Sequence, residues 1–170
     1  SGDWQQAQIV LGRLYAASEI DPESLGIYAG TWMDRYKQTK DRLYLLRARD
    51  LYRQAFEAAP KDYYTGINAA AKSLLLGERE TAQQLAARVE RVTGSAAVSN
   101  DYWRTAAVAE TQLLQGNYEQ AAALYQAAVS SAPSETGSHR STWEDAALLL
   151  SCLGATPQQT TLIHDALTAS

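Results

Sequence analysis

Four groups of side chains could do chemistry in this chain, and all four sit at helical spacing. Tyr64, Asn68 and Lys72 follow one another at intervals of four. That spacing puts them in one line on a helix otherwise made of Ala and Leu. Tyr28, Trp32 and Arg35 fall on one side of an earlier helix, and Trp103 and Glu110 on one side of a later one. Arg140, Trp143 and Glu144 cluster near the start of another. Lining one groove, these residues would offer aromatic faces, an amide, cations and a carboxylate. The mixture suits a nucleotide: rings stack on Trp or Tyr, Arg and Lys take phosphate, Asn and Glu take base or ribose edges. It suits a peptide equally.

Each residue also has a plainer use. Tyr and Trp at helical spacing most often pack between helices, and Lys72 reads as a solvated surface charge. Asn68 is harder to account for, because a mid-helix amide lowers helix propensity. An inter-helix hydrogen bond and a ligand contact both explain it. Glu110, between Ala109 and Thr111 in an apolar helix, would be structural if Arg140 or Arg104 paired with it.

Catalysis has no comparable support. His139 and His164 lie 25 residues apart, and no HExxH or CxxC metal motif is present. Neither a GxxxxGKS/T nor a GxGxxG phosphate loop occurs. No nucleophile sits on a strained turn, and His139-Arg140-Ser141 is the only tempting cluster. The expectation is a non-enzyme that needs neither metal nor cofactor. The net charge of −4 is mild and no basic block exists, which disfavours nucleic-acid binding. The longest apolar stretch, near Ala146–Leu150, is far short of the roughly 20 residues of a membrane span. With no visible signal peptide, a cytoplasmic protein is expected. Cys152 is alone, so no internal disulfide can form, and its LLLSCLG setting predicts a buried structural thiol.

The elements that position these groups are helices. Ala, Leu, Gln, Glu and Arg dominate, and all favour helix. With 10 Gly and 4 Pro in 170 residues, the chain is neither linker-rich nor disordered. One domain is the prior at this length. Asp3 can cap a first helix running to about Ser18, with a ragged apolar face of Trp4, Ile9, Leu11, Leu14 and Tyr15. Asp21-Pro22-Glu23 starts the next, to about Thr39. Its partner spans about 41–59, with Leu45, Ala48, Leu51, Tyr52, Ala55 and Phe56 in one stripe. The pattern continues over 62–76, a turn at Gly77, then 78–93. Positions 94–99 form a loop, and Asn100 or Asp101 caps a helix over 102–114. A helix over 119–132, a loop over 133–138, a helix over 139–153 and a last helix from Pro157 to Ala169 follow. Ser1-Gly2 is compatible with a tag remnant, in which case the chain was cut from something longer.

The stretch Gly116–Pro133, GNYEQAAALYQAAVSSAP, ties the pattern together. It opens on a turn, carries Tyr118, Ala122, Tyr125 and Ala128, and closes on proline. This resembles the second helix of a tetratricopeptide (TPR) repeat. Ala48, Tyr52, Ala55 and Pro60 reappear as Ala121, Tyr125, Ala128 and Pro133, each pair offset by 73 residues. Two units of about 34 residues with slightly long loops account for the offset. The expected fold is all-α, a TPR-like superhelical stack of about four helix pairs (21–170) preceded by an N-terminal helix (1–20). That first helix would cap the stack or continue another domain. The first helix of each pair would face the concave side.

Three segments carry a narrower likeness: LGIYAGTWMDRY (25–36), KDYYTGINAAAKSLLLG (61–77) and DYWRTAAVAE (101–110). In this order and spacing they resemble the TRAFs-binding domain, the TPR-like central region of apoptosis signal-regulating kinases. They also resemble its bacterial relatives beside TIR, caspase-like and other effectors. The likeness covers roughly 22–150, and Tyr64-Thr65-Gly66-Ile67-Asn68-Ala69 is its most specific piece. Met33 and Asp34 stand where the family block carries basic residues, so a phosphate held there would be held less well. What the resemblance implies is a platform for signalling partners in the kinases, and sensing of a nucleotide signal in the bacterial proteins. The expected function is a non-catalytic scaffold or regulatory module that binds a protein partner on its concave surface. The alternative is a sensor of a nucleotide-like ligand, derived from NAD or ADP-ribose, coupled to a fused effector.

Overall fold

The computed structural model describes residues 3–94 and 101–168. Among these, nine helices and no strands occur: α1 (Asp3–Ala16), α2 (Pro22–Thr39), α3 (Arg42–Ala58), α4 (Tyr63–Leu75), α5 (Arg79–Thr93), α6 (Tyr102–Leu114), α7 (Tyr118–Ser131), α8 (Thr136–Leu153) and α9 (Pro157–Thr168). The architecture is the expected TPR-like stack, with one departure at its end. The tag reading of Ser1-Gly2, the loop at 95–99, the Asn100 cap and the end of the last helix at Ala169 fall outside the described residues, as does the side chain of Asp3.

Aspartates set the helix starts. Asp21, Asp41, Asp62 and Asp101 lie before α2, α3, α4 and α6, and each carboxylate accepts from a backbone N–H of the first turn. Each such cap stabilises a helix by roughly 1 kcal/mol. Gly77 and Gly116 turn the chain between the helices of the second and third hairpins at φ 87° and 83°. Both turns close the same way: the Glu78 N–H donates to the Ser73 carbonyl and the Asn117 N–H to the Gln112 carbonyl. The two hairpins therefore repeat with an offset of 39 residues. Tyr63-Tyr64 and Tyr102-Trp103 become equivalent pairs just inside α4 and α6.

The second helices build the core. Ala48, Tyr52 and Ala55 of α3 are buried, as are Ala121, Tyr125 and Ala128 of α7, which is the physical content of the 73-residue echo. Ala82, Ala86 and Val89 do the same on α5. Gly66 lets α4 approach closely, since a Cβ there would stand 2.7 Å from Val89 Cγ2 and 2.8 Å from Phe56 Cε2.

Three sequence expectations change. The last loop is shorter than expected, because α8 already begins at Thr136. Cys152 is exposed rather than buried: α8 turns Ala146, Leu149, Leu150 and Leu153 inward, and that register leaves residue 152 on the solvent side. His139 serves the core, stacked on Tyr102 with centroids 5.3 Å apart and with Nε2 3.0 Å from the Ala132 carbonyl.

The departure concerns the fourth pair. In the earlier pairs each second helix packs along the next first helix, α3 on α4 and α5 on α6. At α7 that flank is taken by α9. α8 instead packs against α4 and α6, the inner helices of the two preceding hairpins. Two contacts pin its start to α6: the His139 stack and a 2.7 Å hydrogen bond between the Tyr102 and Thr142 hydroxyls. The Arg79 guanidinium donates to the Leu153 carbonyl at 3.3 Å and ties down its end.

Candidate binding groove

Between α2, α4, α6 and α8 lies a groove of about 760 Å3. Volumes of this size hold small organic ligands. Tyr64 and Trp103 stand at its lip, 53% and 55% exposed, each the second residue of its helix. The Asp62 and Asp101 caps fix those turns, accepting from the Tyr64 and Trp103 N–H groups at 3.0 Å. Edge-on contacts hold the two rings, Tyr64 on Tyr52 at 6.2 Å and Trp103 on Tyr102 at 5.1 Å.

The floor is ionic. Asn68 Nδ2 donates to the Tyr64 carbonyl at 2.9 Å, and its Oδ1 accepts from Lys72 Nζ at 2.7 Å. The expected stripe is thus a relay within one helix, and the amide's work is to aim Lys72. It makes no inter-helix bond among the described residues. Lys72 is not a solvated surface charge: it lies in the groove with Nζ 5.7 Å from the Tyr52 ring centroid. Burial pulls its pKa below the usual lysine value, against the opposing pull of Glu110 and Asp145. Glu110 faces it from α6. Burial raises that carboxyl to about 7, with Lys72 opposing and Asp145 adding. Both side chains keep some surface open to the groove while packed atoms enclose the rest.

Neither arginine expected beside Glu110 is its partner. Arg104 lies over the Tyr63 ring at 5.7 Å, and Arg140 is exposed on α8 away from the groove. Among the described residues Glu110 makes no hydrogen bond or ion pair.

The ten candidate residues therefore divide. Tyr64, Asn68, Lys72, Trp103 and Glu110 line one groove. Tyr28, Trp32 and Arg35 do not. Tyr28 is buried between Tyr15, at 5.8 Å, and Trp32, at 6.0 Å. Trp32 continues the ladder to Tyr44, and the Arg35 guanidinium caps Tyr44 at 4.5 Å. These three cement α2 to its neighbours, because their side of α2 faces α1 and α3. Trp143 also leaves the groove, contacting His164 of α9 edge-on at 4.9 Å.

Sequence reading missed the rest of the lining. The groove-facing side of α2 is Gly30, Met33, Asp34 and Lys37, with Lys40 at its C-terminal cap. Lys37 and Lys40, three and six residues beyond Asp34, bring the ammonium groups of this side. Their spacing of three from Asp34 was a readable signal. Asp145 and Leu148 come from α8, and no periodicity could bring α8 there.

No metal-binding cluster occurs among the described residues, and none of their helices is long and apolar enough to cross a membrane. A family model described as Tetratricopeptide Repeats-Sensor matches residues 1–76. No curated protein gives a significant match. Among solved structures, a thermophilic TPR protein of Thermus thermophilus is similar at TM-score 0.57 and 20% identity, over 89% of this chain and 74% of that one. MamA from MSR-1 is similar at TM-score 0.50 and 15% identity, over 97% of this chain and 87% of that one. No catalytic family is indicated by these likenesses. At such identities the shared feature is the fold, and the chain is a TPR-like helical-repeat protein whose first 76 residues are similar to the sensor type.

Proposed function

We propose that this chain is a non-catalytic regulatory module whose inner groove takes a small, planar, anionic ligand of the nucleotide class, derived from NAD or ADP-ribose. Coupled to an effector in a signalling or defence protein, it would act as a sensor. One observation carries this choice over a bound partner helix: α8 already lies across the inner helices α4 and α6. What is left is a pocket of about 760 Å3 rather than an open channel. Two exposed rings at the lip, Tyr64 and Trp103, suit stacking, and Lys37 and Lys40 supply ammonium groups. The sensor description of the similar family supports the same reading, as does the resemblance to the bacterial relatives of the TRAFs-binding domain. Calorimetry against ADP-ribose, NAD and cyclic nucleotides tests it. Saturable binding weakened by Trp103→Ala is expected, and no binding by any of them would refute it.

A second reading keeps the groove for a protein. Exposed Tyr and Trp flanking a concavity are also how interfaces anchor a partner segment. The segment would be extended, since α8 already packs across the inner helices α4 and α6. Pull-down of a partner that Tyr64→Ala and Trp103→Ala release would favour this reading, and cytoplasmic extract is the natural source.

A further inference from the structure

The groove is charged differently at its two ends. At the C-terminal end of α2, Lys37 and the cap residue Lys40 outweigh Asp34. At the floor, Lys72 faces two carboxylates, Glu110 of α6 and Asp145 of α8. Lys72 is thus already balanced, with one of its donors engaged by Asn68. It is a poor seat for a ligand anion, because Glu110 and Asp145 would repel one there. Lys37 and Lys40 are exposed, and Lys40 makes only a ring contact, its Nζ 5.7 Å from the Tyr36 centroid. The phosphate end of a ligand belongs there.

Glu110 is the opposite case. It is held in a site where its charge is costly, yet none of the described residues donates to it. Its carboxylate keeps surface open to the groove and takes no donor from the described residues, so a ligand N–H can pair with it.

We propose that Glu110 is the specificity-determining residue of the groove, accepting hydrogen bonds from an N–H edge of the ligand's ring. Asp145 across from it turns the anionic end toward Lys37 and Lys40. The inference rests on the small-ligand reading and adds a direction to it. Rings bearing an exocyclic amine are accepted, and rings whose same edge offers only acceptors are rejected. A neutral ring offering only acceptors would set lone pairs against the Glu110 carboxylate and leave it unpaired. Sites built to bond a donor reject analogues lacking it strongly.

Proton linkage follows from the same geometry. The groups facing Glu110 are Lys72 from α4, Asp145 from α8 and Tyr125 from α7, with Lys37 of α2 acting on Lys72. Of these, Glu110 is the one raised to about 7. An N–H donor stabilises its ionised form, so binding releases a proton where Glu110 is protonated in the free protein. Affinity for an amino-bearing ring then falls as pH drops below 7.

The test is calorimetric titration of the full chain with AMP and with purine riboside 5′-monophosphate, which lacks the exocyclic amine and offers only acceptors at that edge. Measurements run at pH 8 and pH 6, in buffers of different ionisation heat. Expected is a preference for AMP of at least tenfold at pH 8. At pH 6 that preference narrows, and AMP binding releases more protons than binding of the analogue, whose phosphate titrates alike. Glu110→Gln, whose amide can both donate and accept, should bring the two affinities within about threefold. Lys37→Gln with Lys40→Gln should weaken both ligands alike. Equal affinity for AMP and the analogue at pH 8, or equal proton release by the two at pH 6, overturns the role of Glu110 while leaving the small-ligand reading standing. If neither binds, and neither do ADP-ribose, NAD and cyclic nucleotides, the small-ligand reading is what fails, and this inference falls with it. The difference in proton release between the two ligands is measured on the unaltered protein, so it decides the matter even if Glu110→Gln does not fold.

Discussion

Replacing Glu110 by glutamine should make the empty protein more stable, and the gain should depend on pH. The carboxyl is raised from 4.5 to about 7 in the folded chain. The sign follows from which state holds the proton more tightly. A folded pKa above the unfolded one means that ionisation disfavours the fold. Below about pH 4.5 the group is protonated in both states and the penalty is absent. It grows as pH rises through 4.5 toward 7, and above 7 it is complete. A rise of this size corresponds to about 3 kcal/mol. The side chain keeps some contact with groove water, so the measured figure should be nearer 1–2 kcal/mol. Glutamine has nearly the same shape and no charge. In a chain of this length such a gain raises the melting temperature by roughly 2–8 °C. Thermal unfolding followed by circular dichroism, at pH 8 and at pH 5 without ligand, measures it. The melting temperature of Glu110→Gln should exceed that of the parent at pH 8 and approach it at pH 5. An equal difference at both pH values would refute the reasoning, since an uncharged packing effect has no such dependence. A carboxylate kept at a cost to stability is expected where binding needs it.

Other expectations are equally concrete. Gly66→Ala should lower stability by about 1–3 kcal/mol in urea unfolding, because the new methyl meets Val89 and Phe56 at under 3 Å, and this outweighs the helix propensity gained. Trp103→Ala should leave the melting temperature within a few degrees of the parent, as the ring is more than half exposed, while weakening nucleotide binding about tenfold or more by calorimetry. Arg49→Met should destabilise by roughly 1–3 kcal/mol: the guanidinium is buried and paired with Glu78 and Asp50, so the turn that starts α5 loses its tie to α3. Cys152 should react completely with a thiol reagent in the folded protein, at a rate that denaturant changes little.

Local signals carried most of the fold. Asp before each inner helix, glycine at two matching turns and the Ala/Tyr stripes of the second helices are short-range marks. Each survives into the structure as a cap, a turn or a buried face. The stripe on α4 was legible for the same reason, since positions four apart share a side whatever surrounds the helix. Which side faces the groove was not legible on α2. Tyr28 and Trp32 look like a binding surface in sequence, but packing of α1 and α3 turns them inward and leaves the plainer edge of Gly30, Met33 and Lys37 to the groove. Cys152 fails likewise: an apolar run names a helix, and only its register decides which member points out.

The placement of α8 is the feature that local reasoning could not reach, and it changes what the stack can do. A regular fourth pair would have set its first helix against α7 and extended the concave wall. Here α9 holds that flank, and Tyr102 draws α8 onto the inner helices through Thr142 and His139. A ligand in the groove would therefore touch three hairpins and the strap that crosses them. Its binding energy acts on how these units sit relative to one another, because each hairpin is itself a closely packed unit. An equilibrium shifts only through contacts that differ between its two states. The contacts of α8 with α4 and α6 are the ones a ligand lying beside Asp145 can strengthen or break. Any signal from the groove should thus leave through the angle between α8 and the inner helices. Thr142→Val, which removes the bond to Tyr102 without touching the groove's charges, should loosen that angle. Hydrogen exchange along the first turns of α8 should rise in the empty protein and return toward the parent's rate when nucleotide binds. Unchanged exchange in both states would mean that α8 is a fixed wall and that the signal travels elsewhere.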